Sequence, residues 1–239
     1  VVMLQAQIGA KSSAPFVRNN IRSTELMLET AKQHGINKLV HISSSVVESV
    51  ADDKYTNTKK EQERLVSASD LDYCILRPTL MFGWFDRKHL GWLSRFMAKT
   101  PVFPIPGDGR YMRQPLYVRD FCSIIVRCIG DLPVGKVFNI TGREEIDYVD
   151  IIKAIKRSLG YRTLILHIPY KLFWWLLRIY AVFDHDPPFT TEQLEALVAE
   201  DSFEVIPWWD IFKVPATPFA EAIDETFHND TYSKVTLEF

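Results

Sequence analysis

Short apolar runs alternate with longer amphipathic stretches along this chain. The runs at residues 1–6, 38–42 and 72–77 have the length of strands, and stretches with helical periodicity at residues 16–34 and 55–68 lie between them. Continuous apolar strands that alternate with helices are typical of a parallel sheet covered on both faces. The alternation therefore predicts an α/β fold with a doubly wound parallel sheet. Two further strands are predicted at residues 136–140 and 163–168.

The sequence changes character after Pro78. Residues 84–120 are rich in aromatic residues, prolines and glycines, which is typical of an irregular lobe that covers a site. Later helix starts are predicted at Thr190, from a capping box with Gln193, and at Thr217, which precedes Pro218. We therefore expect residues 1–80 to form part of the sheet domain. Residues 81–239 should form mainly a smaller mixed α/β lobe, with some segments that return to the sheet.

Charge and cysteine content argue against several classes of function. The formal net charge of -2 gives no electrostatic reason to expect nucleic acid or an anionic membrane as a partner. The three cysteines are an odd number without metal-ligand spacing, so we expect thiols in a reducing compartment and no metal site. The sequence has no signal-peptide pattern and no run long enough to span a membrane. A cytoplasmic location is therefore expected.

One strongly apolar segment, LFWWLLRIYAVF, begins at Leu172 and ends at Phe183. It is too short to cross a bilayer and it contains Arg178. It is either a lobe helix packed against its neighbours or an interfacial helix that docks to a partner. The second alternative would associate the protein with a membrane complex.

The chain begins with VVMLQA, an apolar run with neither an initial methionine nor a polar lead. Such a run is typical of a buried strand inside a domain, so we expect the sheet to continue upstream of Val1. A doubly wound sheet without that part would expose an unpaired apolar edge. The chain alone should then be unstable or associate as a homo-oligomer.

Polar side chains fall at two places where the pattern predicts burial or a ligand crevice. Asn20 lies on the stripe of the first helix that should be buried, together with Val17, Ile21, Thr24, Leu28 and Ala31. A buried amide must pair with a backbone group, a water or a ligand. The second strand is followed by Ser43, Ser44 and Ser45, at the end of the strand where ligands bind in open parallel sheets. Serine runs are also ordinary turn residues.

Tyr55 and Lys59 lie one helical turn apart in the polar run DDKYTNTKKEQE. If Asp52 or Asp53 caps this helix, the inward face holds Tyr55, Lys59, Gln62 and Val66, and the face toward water holds Thr56, Lys60 and Glu63. An ammonium beside the phenol would lower the pKa of Tyr55 from its usual value of about 10. Such a pair can transfer a proton during carbonyl reduction or alcohol oxidation. A solvated surface helix is the alternative, because Tyr-x-x-x-Lys also occurs by chance.

The order of Asn20, Ser44, Tyr55 and Lys59 resembles that of the extended and atypical short-chain dehydrogenase/reductase superfamily, the NAD-dependent epimerase/dehydratase-like proteins. VVMLQA is similar to the family's fourth strand, NNIRST to its Asn-x-x-Gly-Thr helix, and VHISSS to its serine strand. YTNTK is similar to its Tyr-x-x-x-Lys motif, LRPTLMFG to its Arg-Pro segment, and RQPLYVRD to a motif of its substrate lobe. The resemblance covers nearly the whole chain. It implies a partial, Rossmann-like dinucleotide-binding domain followed by a substrate lobe.

The resemblance also implies a role for each matching residue. Tyr55 would be the catalytic acid or base, Lys59 would lower its pKa and bind the nicotinamide ribose, and Ser44 would hold the substrate oxygen. Asn20 would support Lys59 through a water. The cofactor, NAD or NADP, would also lie against Leu4, Ala6, Pro78 and Thr79. The substrate side would include Ser45, Phe82, Trp84 and Arg113.

Three features depart from the family pattern. The first strand and the Gly-rich loop, which holds the pyrophosphate and selects NAD or NADP, would lie upstream of Val1, so cofactor binding by this chain alone is open. The interval from Ser44 to Tyr55 is shorter than in sugar-nucleotide epimerases, and Ser23 replaces the usual glycine. A nucleotide-sugar, a quinone-like ring and a lipid-linked sugar all stay open as the small-molecule substrate.

Several distal segments resemble the nucleotide-binding accessory subunit of respiratory complex I and its bacterial relatives. These segments are RQPLYVRD, LFWWLLRIYAVF, PFTTEQLEAL and TPFAEAIDETF. One hypothesis is an NAD(P)-dependent oxidoreductase, epimerase or dehydratase. A second is a non-catalytic dinucleotide-binding subunit that docks to a membrane complex through Trp174 and Trp175. A third is a truncated product without activity.

Overall fold

The computed structural model describes residues 1–10, 12–49, 52–86, 89–183, 190–198 and 203–235, without the side chains of Glu192, Gln193 and Ala196. These residues form two compact units. The first comprises residues 1–81, 118–143 and 203–216. The second comprises residues 82–117, 144–202 and 217–239.

The strands, in chain order, are β1 (Val2–Met3), β2 (Lys38–Ile42), β3 (Asp72–Pro78), β4 (Met81–Phe82), β5 (Val102–Pro106), β6 (Met112–Arg113), β7 (Leu116–Tyr117), β8 (Lys136–Ile140), β9 (Ile146–Asp147) and β10 (Leu164–Ile168). The helices are α1 (Ala14–Phe16), α2 (Ser23–Gln33), α3 (Lys54–Ser67), α4 (Leu90–Lys99), α5 (Val118–Gly130), α6 (Tyr148–Ser158), α7 (Tyr170–Phe183), α8 (Thr191–Val198), α9 (Trp208–Ile211) and α10 (Phe219–His228). A π-helical segment, Val17–Arg22, precedes α2, and a 3-10 helix, Ser45–Glu48, precedes α3.

A four-stranded parallel sheet with the spatial order β1-β2-β3-β8 forms the centre of the first unit. The register places Met3 and Ile75 on either side of His41 in β2. The prediction of an α/β fold with a parallel sheet is confirmed. Strand β1 is shorter than predicted, because only Val2 and Met3 pair with β2.

Helices cover both faces of this sheet. Successive side chains of a strand point to opposite faces. On one face, Leu39 and Ile75 pack with Val66 of α3 in a buried apolar core. On the other face, Cys74 of β3 contacts Cys128 of α5, and both thiols are buried. The sheet is therefore doubly wound, as the alternation of runs predicts.

The first predicted helix contains a π-helical turn. Asn20 lies in this turn and is buried, as are Thr24 and Ala31 of the predicted stripe. The prediction is wrong at Val17, which is exposed, while Phe16 is buried in its place. A π turn contains an extra residue, so the faces on its two sides do not follow one continuous 3.6-residue period. Gly35, with a φ of 65°, ends the helix as predicted.

Helix α3 begins at a cap formed by Asp53. The Asp53 carboxylate accepts hydrogen bonds from the backbone N–H groups of Tyr55 and Thr56, at 2.8 and 2.9 Å. On the predicted inward face, Lys59, Gln62 and Val66 are fully buried, and Tyr55 is half-buried. The outward face is partly wrong, because Thr56 and Glu63 are buried as well. The Thr56 hydroxyl bonds to Asp53, and the Glu63 carboxylate pairs with Arg77.

The second unit is mixed α/β. Strands β5 and β10 pair in parallel, and β6 and β9 pair antiparallel. Gly109, with a φ of 73°, lies where an added Cβ would come within 2.8 Å of Ile105 and 2.9 Å of Val149. Helix α10 has Pro218 at its N-cap, so the predicted cap at Thr217 is wrong by one position. The N–H of Phe219 instead donates to Glu144 at 2.6 Å.

Helix α7 covers the predicted apolar segment, and most of its apolar side chains are exposed. Phe173 is the buried side chain of this helix, while Trp175 is 60% and Phe183 is 83% exposed. The exposed residues follow helical spacing, so they form one stripe, the α7 apolar face (Leu172, Trp175, Leu176, Ile179, Val182 and Phe183). Within the described residues, this face of α7 is therefore not covered by close packing. Within the described ranges, none of the helices has both the length and the apolar character needed to span a membrane.

Candidate functional site

The carboxyl ends of β1, β2 and β3 meet at one edge of the sheet, because these strands are parallel. Leu4 and Ala6 follow β1, and both are exposed. The serines follow β2, while Pro78 ends β3 and Thr79 donates its backbone N–H to Ile140 at 3.1 Å. The residues predicted for the cofactor therefore lie along the edge where open parallel sheets bind ligands.

Tyr55 and Ser44 are in contact at this edge. The Ser44 hydroxyl lies close enough to the phenol to lower its pKa, and the Tyr55 ring is half-buried. Ser44 is also the cap of the 3-10 helix, where its Oγ lies 3.5 Å from the backbone N of Val46. Ser45 is buried in that helix. Of the two candidate serines, Ser44 is the one that contacts Tyr55.

The pKa of Tyr55 lies above its ordinary value. Burial of the ring disfavours the phenolate and is the largest cause, and the Asp53 carboxylate raises the pKa further. The Ser44 hydroxyl acts in the opposite direction. The prediction that Lys59 lowers the pKa of Tyr55 is wrong, because this pKa is raised overall. Among the described residues, Ser44 is the group that acts to lower it. The phenol is therefore protonated at neutral pH.

Lys59 is fully buried, although it carries a charge at neutral pH. Its Nζ donates to the backbone oxygen of Ile42, the last residue of β2, at 3.0 Å. Burial lowers the pKa of Lys59 from 10.5 to about 8, and the charge of Glu63 opposes this change. A buried lysine without a close carboxylate partner costs free energy, which is unusual unless the charge has a use.

His41 was not singled out from the sequence. Its imidazole is fully buried beside Lys59, and burial, followed by the charge of Lys59, lowers its pKa to about 3. Neither ring nitrogen has a hydrogen-bond partner within the described part of the chain. The sequence does indicate its burial. A histidine within the apolar run KLVHI is buried when that run forms a central strand of a parallel sheet.

Asn20 joins three segments around the site. Its Oδ1 accepts from the backbone N–H of Gln7 at 2.6 Å, and its Nδ2 donates to the oxygen of Gln7 at 3.2 Å and to the Thr58 hydroxyl at 2.9 Å. Asn20 therefore holds the segment that follows β1 against the α3 turn that precedes Lys59. Its support of Lys59 through a water stays a prediction.

An ion-pair network joins β3 to α3 and to the 3-10 helix that follows Ser44. Arg77 of β3 binds the Glu63 carboxylate of α3 and the Glu48 carboxylate of the 3-10 helix. Pairs between residues far apart in the chain leave no local pattern, so the sequence does not predict the partners of Glu48 and Glu63. Arg77 enters the sequence analysis only as a part of the LRP segment.

Of the residues predicted for the substrate side, Ser45 lies in the first unit, and Phe82, Trp84 and Arg113 belong to the second. Phe82 is buried, and its ring packs against those of Tyr117 and Phe219. Trp84 also packs against Tyr117, and its indole N–H donates to Glu225 at 3.2 Å. The Arg113 guanidinium donates to the backbone oxygens of Met112 and Leu197. Phe82 and Trp84 are thus brought together through Tyr117, and the role of these residues stays a prediction.

Comparison with known proteins identifies the family. Residues 1–141 match the NAD dependent epimerase/dehydratase family. The chain belongs to this family. It is 27% identical over 178 residues to a dTDP-glucose 4,6-dehydratase of Streptomyces niveus, which covers 66% of this chain and 53% of that protein. The chain thus spans about half the length of the curated relatives it matches.

Two further similarities extend over most of the chain. It is 24% identical over 217 residues to the mitochondrial NADH dehydrogenase [ubiquinone] 1 alpha subcomplex subunit 9 of Mus musculus, which covers 88% of this chain and 56% of that protein. Its fold matches the crystal structure of a dTDP-glucose 4,6-dehydratase double mutant from Streptomyces venezuelae with NAD and DAU bound, at a TM-score of 0.71 and 16% identity. That match covers 96% of this chain and 73% of the other. The fold is therefore Rossmann-like.

Proposed function

We propose that this chain carries the proton-transfer site of an NAD(P)-dependent epimerase or dehydratase that acts at a carbinol or carbonyl carbon of a nucleotide-linked sugar. The placement of Tyr55, in the first turn of α3, beside Ser44, which follows β2 at the carboxyl edge of the sheet, carries this proposal. The fully buried Lys59 one turn beyond Tyr55 supports it, because a structural helix has no need of a buried charge. The similarity to dTDP-glucose 4,6-dehydratases supports a nucleotide-linked sugar as the substrate.

Tyr55 is the group that transfers the proton. Because its pKa is raised by burial, the phenol is protonated at neutral pH and donates to a carbonyl oxygen in the reductive direction. The Ser44 hydroxyl binds the same oxygen and keeps it in line with the phenol. In the oxidative direction Tyr55 must release its proton first. The Ser44 hydroxyl, which lowers the pKa of Tyr55, favours this release.

The donor groups at this edge fit a nicotinamide nucleotide. Lys59 and Tyr55 are the residues that would hold its ribose, and Leu4, Ala6, Pro78 and Thr79 would lie along its length. NAD or NADP, when bound, accepts or donates the hydride. The chain's own part is to position the substrate oxygen between Ser44 and Tyr55 and to move its proton.

The test is turnover by the chain with NAD or NADP and with dTDP-glucose or UDP-glucose, followed by NMR and mass spectrometry of the sugar product. We expect Tyr55→Phe to lower turnover about a hundredfold to ten-thousandfold, the range for loss of a general acid. Tyr161→Phe, a half-buried tyrosine of the second unit, is the matched control and should keep its activity. Turnover by Tyr55→Phe at the wild-type rate would exclude the role of Tyr55.

As a second candidate we propose an accessory subunit that docks to a membrane complex through helix α7. The α7 apolar face supports it, as does the similarity to the NADH dehydrogenase subunit over most of the chain. The two charged residues of α7, Lys171 and Arg178, are both basic. Basic and aromatic side chains beside an apolar stripe are typical of helices that lie in a membrane interface.

Co-sedimentation with membranes tests this candidate. A double variant, Trp175→Glu with Ile179→Glu, should lose the sedimenting fraction, because two charges would have to be buried at the docking surface. The matched control is Val126→Glu, since Val126 is 65% exposed on α5. Equal sedimentation of the wild type and the double variant would exclude docking through α7.

A further inference from the structure

Arg77 joins two acidic side chains that come from different parts of the candidate site. Its guanidinium donates to both carboxylate oxygens of Glu63, at 2.9 and 2.6 Å. It also donates to Oε1 of Glu48 at 2.9 Å. The same Glu48 oxygen accepts from the Asn139 side chain at 2.9 Å. These side chains form one network near the carboxyl end of β3.

The two carboxylates belong to the two segments that carry Ser44 and Tyr55. Glu48 ends the 3-10 helix that begins directly after Ser44, and we call residues 44–49 the Ser44 loop. Glu63 lies on α3, about two helical turns beyond Tyr55. The contact between Ser44 and Tyr55 therefore depends on how the Ser44 loop is held against α3.

Burial makes the Glu63 half of the network the stronger half. The Glu63 side chain is 11% exposed, whereas that of Glu48 is 39% exposed. A bidentate pair between arginine and a carboxylate fixes the angle as well as the distance, and low exposure limits screening by water. Arg77 is therefore anchored to α3, and its remaining donor group binds the Ser44 loop.

We propose that Arg77 is a positioning residue for the proton-transfer site: by binding Glu48 and Glu63 at once, it holds the Ser44 loop against the helix that carries Tyr55. The proposal rests on the proposed function, because it gives the Tyr55–Ser44 contact a part in the reaction. A lysine does not replace this arginine, since an ammonium lacks the planar fork that binds one carboxylate with two donors and reaches a second.

The first test needs no substrate. The titration of Tyr55 is followed by NMR of ring-labelled tyrosine, with Tyr55→Phe to assign the signal. Because the Ser44 hydroxyl lowers the pKa of Tyr55, its displacement should raise that pKa further in Arg77→Lys and in Glu48→Gln. The sign is diagnostic for Glu48→Gln. Removal of a negative charge by itself either lowers the pKa of Tyr55 or leaves it unchanged, so a rise reports the lost position of Ser44.

The matched control is Arg64→Lys. Arg64 pairs with Glu61 on the exposed side of the same helix, through two hydrogen bonds at 2.8 and 2.6 Å. Its replacement changes an Arg–carboxylate pair of α3 without touching the network. The titration of Tyr55 in this control should match that of the wild type.

The second test is kinetic. Arg77→Lys should lower kcat by about a hundredfold and leave KM nearly unchanged, because a displacement of about 1 Å at the reacting groups is sufficient for such a loss. Arg64→Lys should keep the wild-type kcat. If the wild type turns over no substrate, the proposed function fails, while the Tyr55 titration still decides whether Arg77 positions Ser44.

Two results would overturn the proposal. One is an unchanged Tyr55 titration in both Arg77→Lys and Glu48→Gln. The other is a fall in the pKa of Tyr55 in Glu48→Gln. If Arg77→Lys does not fold, Glu48→Gln decides alone, because it leaves the bidentate pair between Arg77 and Glu63 intact.

Discussion

Replacement of Lys59 by methionine should stabilise the chain and abolish the proposed activity. Lys59 is fully buried, and burial lowers its pKa from 10.5 to about 8. At neutral pH the lysine is protonated in both the folded and the unfolded chain, so the folded state bears the full cost of the buried charge. One pKa unit corresponds to about 1.4 kcal/mol, so this cost is roughly 3 kcal/mol.

Methionine is of similar length and carries no charge, so it removes this cost. The substitution also removes the hydrogen bond from Nζ to the backbone oxygen of Ile42. A hydrogen bond of this kind contributes about 1 kcal/mol. We therefore expect the free energy of unfolding of Lys59→Met to exceed that of the wild type by roughly 2 kcal/mol at neutral pH.

The pH dependence separates this cause from improved packing. Because the pKa of Lys59 is lower in the folded chain, the unfolded chain binds more protons between pH 8 and pH 10.5. The stability of the wild type therefore rises with pH across this window, and that of Lys59→Met lacks this rise. The difference between the two proteins should shrink as the pH increases.

Urea unfolding at a series of pH values, followed by circular dichroism, measures this difference. Lys136→Met, an exposed lysine at the start of β8, is the control and should change the free energy of unfolding little. A variant that is less stable than the wild type at neutral pH would refute the reasoning. A stability difference that stays constant from pH 8 to pH 10.5 would refute it as well.

Three further substitutions test the groups around the site. His41→Phe should resist acid better than the wild type, because the stability tied to a neutral His41 is present above pH 6.5 and is lost toward its folded pKa of about 3. Loss of circular dichroism at the same pH in both proteins would contradict this. Asn20→Leu leaves the backbone of Gln7 unpaired and should lower the free energy of unfolding by about 2–4 kcal/mol in urea titrations. Asp53→Ala should lower the free energy of unfolding by about 1 kcal/mol more than Asp53→Asn, because asparagine keeps an oxygen that can cap α3. Equal urea midpoints of the two variants would exclude a stabilising role for this cap.

The parallel sheet and the inward face of α3 could be predicted because local patterns encode them. The apolar runs of β2 and β3 are long enough to be central strands. Lys59, Gln62 and Val66 follow the period of an α-helix, so one side of the helix had to hold all three. The position of Ser44 at the end of a strand followed from the same alternation.

The burial of Glu63 and the winding around Asn20 could not be predicted. Glu63 looks like a solvated residue because its partner, Arg77, lies on a strand that no local pattern joins to α3. The local sequence does not indicate the π turn, because residues 16–34 have the pattern of one continuous α-helix. The predicted buried stripe therefore uses the 3.6-residue period at Val17, where that period does not apply. The pKa of Tyr55 also depends on burial, which the spacing of Tyr55 and Lys59 does not contain.

The thiol contact across the sheet has a practical consequence. Cys74 of β3 and Cys128 of α5 are buried against each other between the sheet and the helix. Cys122 also lies on α5, but its thiol is exposed. A thiol reagent should therefore modify Cys122 at once and reach the other two only when this layer of the first unit opens. The rate at which Cys74 and Cys128 are modified therefore measures how often this layer opens. Mass spectrometry follows this rate on the wild-type chain without an added label.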